Sequence, residues 1–177
     1  LDGLPQGYLG RAFAQRFAQA HPDLGLPPRL SHWSDSHGLL ALLHAGQDMP
    51  GNVLLGDRAR TAFLADAQPA AIAEHERGPA YARLARAAER GDVAASSAAG
   101  EQPKFTACIQ GRAGPQHVIV KFSASEAHAV SKRWRDLLLA EHLALRSLNQ
   151  GDVSAAQTRI VDHPGQRFLE VQRFDRV

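Results

Sequence analysis

Residues 104–122 read Lys104-Phe105-Thr106-Ala107-Cys108-Ile109-Gln110-Gly111-Arg112-Ala113-Gly114-Pro115-Gln116-His117-Val118-Ile119-Val120-Lys121-Phe122. Phe105, Ala107 and Ile109 fall on one side, the period of a half-buried strand. Gly111 to Pro115 turns the chain, and 117–122 forms a second, more buried strand. Successive side chains leave a strand on opposite faces, so Val118 and Val120 point one way and His117, Ile119 and Lys121 the other. Ahead of this hairpin, Val93-Ala94-Ala95-Ser96-Ser97-Ala98-Ala99-Gly100 is small and polar, suited to a loop that approaches something closely. Behind it a long helix is expected over roughly 126–149, with Ser123 and Glu126 spaced as a capping box. Two more strands, 157–162 and 167–173, flank the turn Asp162-His163-Pro164-Gly165. The order is loop, strand, strand, helix, strand, strand.

Upstream the pattern is mostly helical. Leu9, Ala12, Phe13, Phe17 and Ala20 keep helical spacing until His21-Pro22-Asp23 stops them, because proline disfavours the α conformation before it. Ser34 or Asp35 caps a second helix carrying Leu39, Leu40, Leu42 and Leu43, which ends at Gly46. Pro50-Gly51-Asn52 reads as a turn and Val53-Leu54-Leu55 as a short strand. Residues 57–91 are alanine-rich and helical, with Pro69 starting one helix and Gly78-Pro79 another. Tyr81, Leu84, Ala85 and Ala88 form the apolar face of the latter, which Gly91 ends. This stretch reads as packing scaffold without chemistry. The fold class is therefore α+β, divided into a helical subdomain over 1–91 and a sheet with one long helix over 92–177.

Composition narrows the function. The chain has 177 residues, 44% hydrophobic and 21% charged, which is globular rather than disordered. A net charge of +2 with no basic run is too weak to argue direct nucleic-acid binding. No apolar run reaches the ~20 residues of a membrane span, and no signal segment opens the chain. One cysteine, Cys108, excludes an internal disulfide framework and a cysteine-rich zinc site, and a reducing cytoplasm is expected. Nine histidines lack metal-ligand spacing: His32 and His37 stand five apart with no acidic or cysteine partner motif, so no metal site is expected. Ser97 lacks the elbow of a hydrolase nucleophile. Packing accounts for Cys108, Trp33 and Trp134, and the Arg-rich 83–90 helix reads as a solvated face.

Only three residues are lysines, Lys104, Lys121 and Lys132, so their positions are informative. A small-residue loop, a hairpin with a lysine inside its second strand, and a long helix with an acid on its packed face make the arrangement of a kinase N-lobe. Triphosphate oxygens need backbone N–H groups that approach closely, a lysine on a rigid strand, and a carboxylate to hold that lysine. Lys121 lies in a run apolar enough to require a partner or a function, or else it is an edge lysine that reaches water. The expected helix stripe is Ala127, Val130, Trp134, Leu137, Leu138, Glu141, Leu145 and Leu148, which puts Glu141 among packed residues. Glu141 either pairs with Lys121 or sits at the stripe edge in solvent.

Ser96-Ser97-Ala98-Ala99-Gly100-Glu101-Gln102-Pro103-Lys104 resembles the signature loop of HipA-type serine/threonine kinases, S-x-A-G-x-Q-x-K. His117-Val118-Ile119-Val120-Lys121 is similar to their lysine strand, and Val171-Gln172-Arg173-Phe174-Asp175-Arg176 to their hinge. Leu4-Pro5-Gln6-Gly7-Tyr8-Leu9-Gly10 and Asp48-Met49-Pro50-Gly51-Asn52-Val53-Leu54-Leu55-Gly56 resemble the N-terminal region of the YjjJ-like branch. The resemblance implies an ATP site that includes Ala99, Gly100, Gln102, Lys104, Lys121, Gln172, Phe174 and Asp175. Gln172 and Phe174 would hold adenine through the backbone, and Asp175 lies where the ribose would be. Ser97 matches a loop serine that is autophosphorylated to silence the kinase. Two departures stand out: Arg133 occupies the place of an early helix glutamate, leaving Glu141 as the substitute, and Gln172 replaces the hinge glutamate.

The implied function is ATP- and magnesium-dependent phosphorylation of protein serine or threonine, in a toxin restrained by a small DNA-binding antitoxin. The catalytic aspartate, asparagine and magnesium aspartate belong to a second lobe, expected beyond Val177, so this segment alone should be inactive and should self-associate through the face meant for that lobe. DNA would be met only through a partner or a module outside the segment. The alternative is a transcriptional regulator whose degenerate kinase-like domain binds a ligand or dimerises.

Overall fold

The structure, a computed structural model, describes residues 4–48, 53–65, 70–90, 100–125 and 129–176. The chain forms two compact units, Leu1–Gln68 with Val93–Gln102, and Pro69–Asp92 with Pro103–Val177.

In the first unit, helices α1 (Gly7–Ala20), α2 (Asp35–Ala45) and α3 (Gly56–Ala65) surround a core of Phe13, Phe17, Leu26, Ala41 and Leu42. The His21 N–H closes α1 on the Phe17 carbonyl, where Pro22 cannot continue the helix. Ser34 caps α2: its hydroxyl accepts from the His37 N–H, and His37 Nδ1 accepts from the Ser34 N–H at 3.1 Å. Gly46 ends it by donating to the Leu42 carbonyl. Val53, Leu54 and Leu55 are not a strand, contrary to the pattern. The described residues around them are helical and offer no ladder, so Leu55 packs on the core instead.

The start of α1 depends on a glycine. Gly7 has φ +67°, and its N–H-bearing neighbour Tyr8 donates to the Gly100 carbonyl at 3.0 Å. A Cβ at Gly7 would lie 2.6–2.9 Å from Gly100 backbone atoms, which no side-chain rotation relieves. Gly7→Ala is therefore expected to destabilise this junction by about 2 kcal/mol or more. Hydrogen exchange at the Tyr8 amide should accelerate at least tenfold, and unchanged protection would refute the contact.

The second unit is a four-stranded antiparallel sheet in the order β1-β2-β4-β3, with β1 Lys104–Gly111, β2 Gly114–Phe122, β3 Thr158–His163 and β4 Gln166–Gln172. Helix α4 (Arg77–Glu89) packs on one face and α5 (Ala129–Gln150) on the other. Val118, Val120 and Phe122 are buried on the α4 face, where Tyr81 meets Phe105 and Phe168 edge-on at 5.6 Å each. The alternation read from the hairpin thus holds.

Two local expectations are corrected. Pro69 itself lies outside the described residues, but the segment after it is extended rather than helical: Ile72 donates to the Cys108 carbonyl and accepts from the Gln110 N–H, both at 2.9 Å. The open edge of β1 supplies those partners, and an edge competes successfully with weak alanine-rich helix propensity. The buried face of α5 is rotated from the expected stripe: Ser131 and Leu138 are fully buried, whereas Val130, Leu137 and Leu148 are exposed. The Ser123 hydroxyl accepts from the Arg167 N–H at 3.0 Å while the Ser123 carbonyl accepts from Gln166, fastening the end of β2 to β4. Glu126, its expected partner, lies outside the described residues.

Candidate functional site

Lys121 stands in β2 directly opposite Lys104 of β1, so both side chains share the α5 face of the sheet. Lys104 is 3% exposed, and the Lys121 side chain 23%. Lys121 Nζ donates to Glu141 Oε1 at 2.5 Å, across from the strand to α5. The packed face of α5 sets the position of Glu141. Leu138, one turn earlier, is fully buried, and His142, the next residue, meets Thr158 Oγ1 of β3 at 2.8 Å. At the start of α5, Ser131 Oγ donates to the Ala124 carbonyl at 2.8 Å. The Lys121 ammonium is thus fixed by a carboxylate on a rigid sheet, at a point water still reaches. That is the electrostatic requirement for holding an anion.

The end of β4 lies further along the same sheet, with Gln172 opposite Val118. The Gln172 N–H donates to the Gln157 carbonyl at 2.9 Å, and the Arg173 N–H to the His117 carbonyl at 3.0 Å. Phe174 follows, 90% exposed. Asp175 is forked by Arg173 and touched by Arg176.

Of the loop residues, Ser97 and Ala99 lie outside the described residues. Gly100 and Gln102 belong to the first unit, where the Gly100 carbonyl receives the Tyr8 N–H and Glu101 pairs with Arg11 at 2.7 Å. Lys121 and Glu141 are brought together, Lys104 stands opposite Lys121 in the ladder, and Gln172, Phe174 and Asp175 are contiguous at the strand end. Arg133 is exposed.

The stretch read as scaffold carries a buried polar network on the opposite face. Arg77 Nη1 donates to Glu170 Oε2 at 3.2 Å and Nη2 to the Gln110 carbonyl at 2.9 Å, while Tyr81 Oη donates to Glu170 Oε1 at 2.7 Å. Arg77 and Glu170 are 5% and 4% exposed, and Arg77 Nε has no hydrogen-bond partner. Burial, then the adjacent Glu170 carboxylate, drives the Tyr81 phenol far above its usual range. Glu74 reaches Arg159 of β3 at 2.5 Å, so residues 72–81 cross the sheet from the β1 edge to the β3 edge. A glutamate inside the run Phe168-Leu169-Glu170-Val171 was the sequence signal for this network. Burial also raises the Cys108 thiol, in keeping with an inert core residue. Among the described residues, no three His, Cys, Asp or Glu side chains gather as a metal site, and no helix is long and apolar enough to cross a membrane.

Residues 96–177 match the HipA-like C-terminal domain, and residues 1–64 match the middle domain of YjjJ-like toxins. The chain therefore joins a YjjJ-like toxin middle domain to a HipA C-terminal-like domain. It is 38% identical over 175 residues to Toxin YjjJ of Escherichia coli (strain K12), covering 98% of this chain and 39% of that protein. The chain thus spans about two fifths of the length of the curated relative it matches. No solved structure matches it significantly.

Proposed function

We propose that this chain is the nucleotide-holding part of a HipA-like serine/threonine protein kinase that acts as a toxin and is restrained by a small DNA-binding antitoxin. The observation that carries the reading is the Lys121–Glu141 ion pair beside Lys104. A strand lysine held by a helix carboxylate is what aligns α- and β-phosphate oxygens for phosphoryl transfer. ATP fits this donor set, in which a strand ammonium is oriented by a carboxylate and still reached by water. Lys121 would contact its phosphates with Lys104 alongside, and the backbone at Gln172 and Phe174 would take adenine. ATP, when bound, supplies the γ-phosphoryl group. Magnesium would need a carboxylate set, which the described residues do not assemble, so its ligands are expected elsewhere in the protein. The toxin role rests on the likeness to Toxin YjjJ.

The test is phosphate transfer from labelled ATP to protein by the full-length protein, with and without Glu141→Gln. The substitution keeps the shape and removes the charge that orients Lys121. Apparent affinity for ATP should fall about tenfold with the fold intact by circular dichroism. Equal affinity in the variant, or no ATP-dependent labelling of any protein, would refute the reading.

A further inference from the structure

Glu141 and its chain neighbour His142 leave α5 about 100° apart, and each is bonded to a different strand. Glu141 Oε1 accepts from Lys121 Nζ of β2, and His142 Nδ1 meets Thr158 Oγ1 of β3 at 2.8 Å. β2 and β3 are the two neighbours of β4, so the bonds straddle that strand, on strands about 10 Å apart. Leu138, fully buried, lies between the two residues on the helix surface, about 60° from one and 40° from the other. The earlier turns of α5 are tied separately, Ser131 to the Ala124 carbonyl and the Arg135 carbonyl to Arg167.

We propose that His142, through Thr158, is a positioning residue that sets the roll of α5 at Glu141 and so the orientation of the Lys121 ammonium. The inference rests on the nucleotide reading above and deepens it. The physical reason is the straddle. With Leu138 as the pivot, rolling the helix one way lifts Glu141 from β2 and drives His142 into β3. Rolling it the other way parts His142 from Thr158. The apolar contact at Leu138 is non-directional and does not fix an angle. Nor can the Lys121–Glu141 pair set the roll alone, because its side chains are 23% and 31% exposed and water screens an ion pair that open. The Thr158 hydroxyl suits either tautomer of the ring, since it both donates and accepts.

The experiment measures equilibrium binding of ATP to the full-length protein carrying Thr158→Val, Thr158→Ser, His142→Asn or Glu141→Gln, and Thr158→Val combined with Glu141→Gln. Thermal unfolding is recorded in parallel. Thr158→Val keeps the shape and removes the hydroxyl, and it should weaken ATP about fivefold. Thr158→Ser keeps the hydroxyl and His142→Asn sets an amide near the Nδ1 position, so both should bind within about twofold of the parent. In the Glu141→Gln background Thr158→Val should cost no further affinity, because no carboxylate is left to orient. Should Thr158→Val not fold, His142→Phe, which keeps a ring and loses the nitrogen, takes its place in both backgrounds. An equal loss in both backgrounds, or lowered thermal stability with unchanged ATP affinity, would overturn the proposal in favour of a merely structural bond. A loss with Thr158→Ser as large as that with Thr158→Val would overturn it too, since the hydroxyl would then not matter. An unsubstituted protein that binds no ATP, or Glu141→Gln that binds it as the parent does, overturns the nucleotide reading itself, a result read before the other variants are compared.

Discussion

Lys121→Ala is expected to abolish ATP-dependent phosphate incorporation by the full-length protein, with a rate loss of about a hundredfold or more. The side chain projects from the inner strand β2, which is paired on both sides, so its position is set by the sheet rather than by its own flexible stem. Glu141 then fixes the ammonium at 2.5 Å. Removing the lysine leaves Glu141 facing the anion-binding position with its charge uncompensated, so the substitution both deletes an attraction and uncovers a repulsion. Lys104, 3% exposed in the neighbouring strand, is held too deep to take over. The effect should exceed that of Glu141→Gln, which leaves the cation in place. Undiminished labelling with Lys121→Ala would sink the assignment of the site.

The second large effect concerns stability. Arg77→Ala should destabilise the second unit by about 3–5 kcal/mol, because it removes the guanidinium that pairs with the buried Glu170 carboxylate and leaves the Tyr81 hydroxyl to donate to it. The same change frees the Gln110 carbonyl of its guanidinium donor. Trp134 lies on α5 in this unit, so its fluorescence during urea unfolding, in a Trp33→Phe background, reads the unit separately. Pairing Arg77→Met with Glu170→Gln should recover most of the loss, since a neutral amide oxygen can still accept from Tyr81 Oη. A single variant within about 1 kcal/mol of the parent would show that the network contributes little.

Much of the second unit was legible from period alone. The alternation of Phe105, Ala107 and Ile109, the lysine in an apolar strand, and the turn at Asp162–Gly165 each reflect local chemistry that survives packing. Glu141 was legible as well, because a carboxylate near apolar residues at helical spacing has few places to go. The α5 stripe was less so. Val130, Leu137 and Leu148 are apolar yet exposed, and only the sheet that Leu138 packs against decides which side of the helix is inward. Val53–Leu55 misled for a similar reason: a short apolar run is a strand only where a neighbouring edge exists to bond it, and helices surround it here.

The sequence by itself determined the four strands and the long helix, the candidacy of Lys121 and Glu141, and the likeness to HipA-type proteins, since all three rest on residue identity and short-range spacing. Tertiary structure alone decided that residues 70–90 pack with the sheet rather than with the helices that precede them, that Glu170 is neutralised by Arg77, and that Asp175 is held by arginines. The partner of a buried charge is whichever opposite charge the fold brings within about 3 Å, and Arg77 reaches Glu170 across 93 residues of chain. No local pattern encodes a distance of that kind, because it is fixed by the stacking of α4 on the sheet.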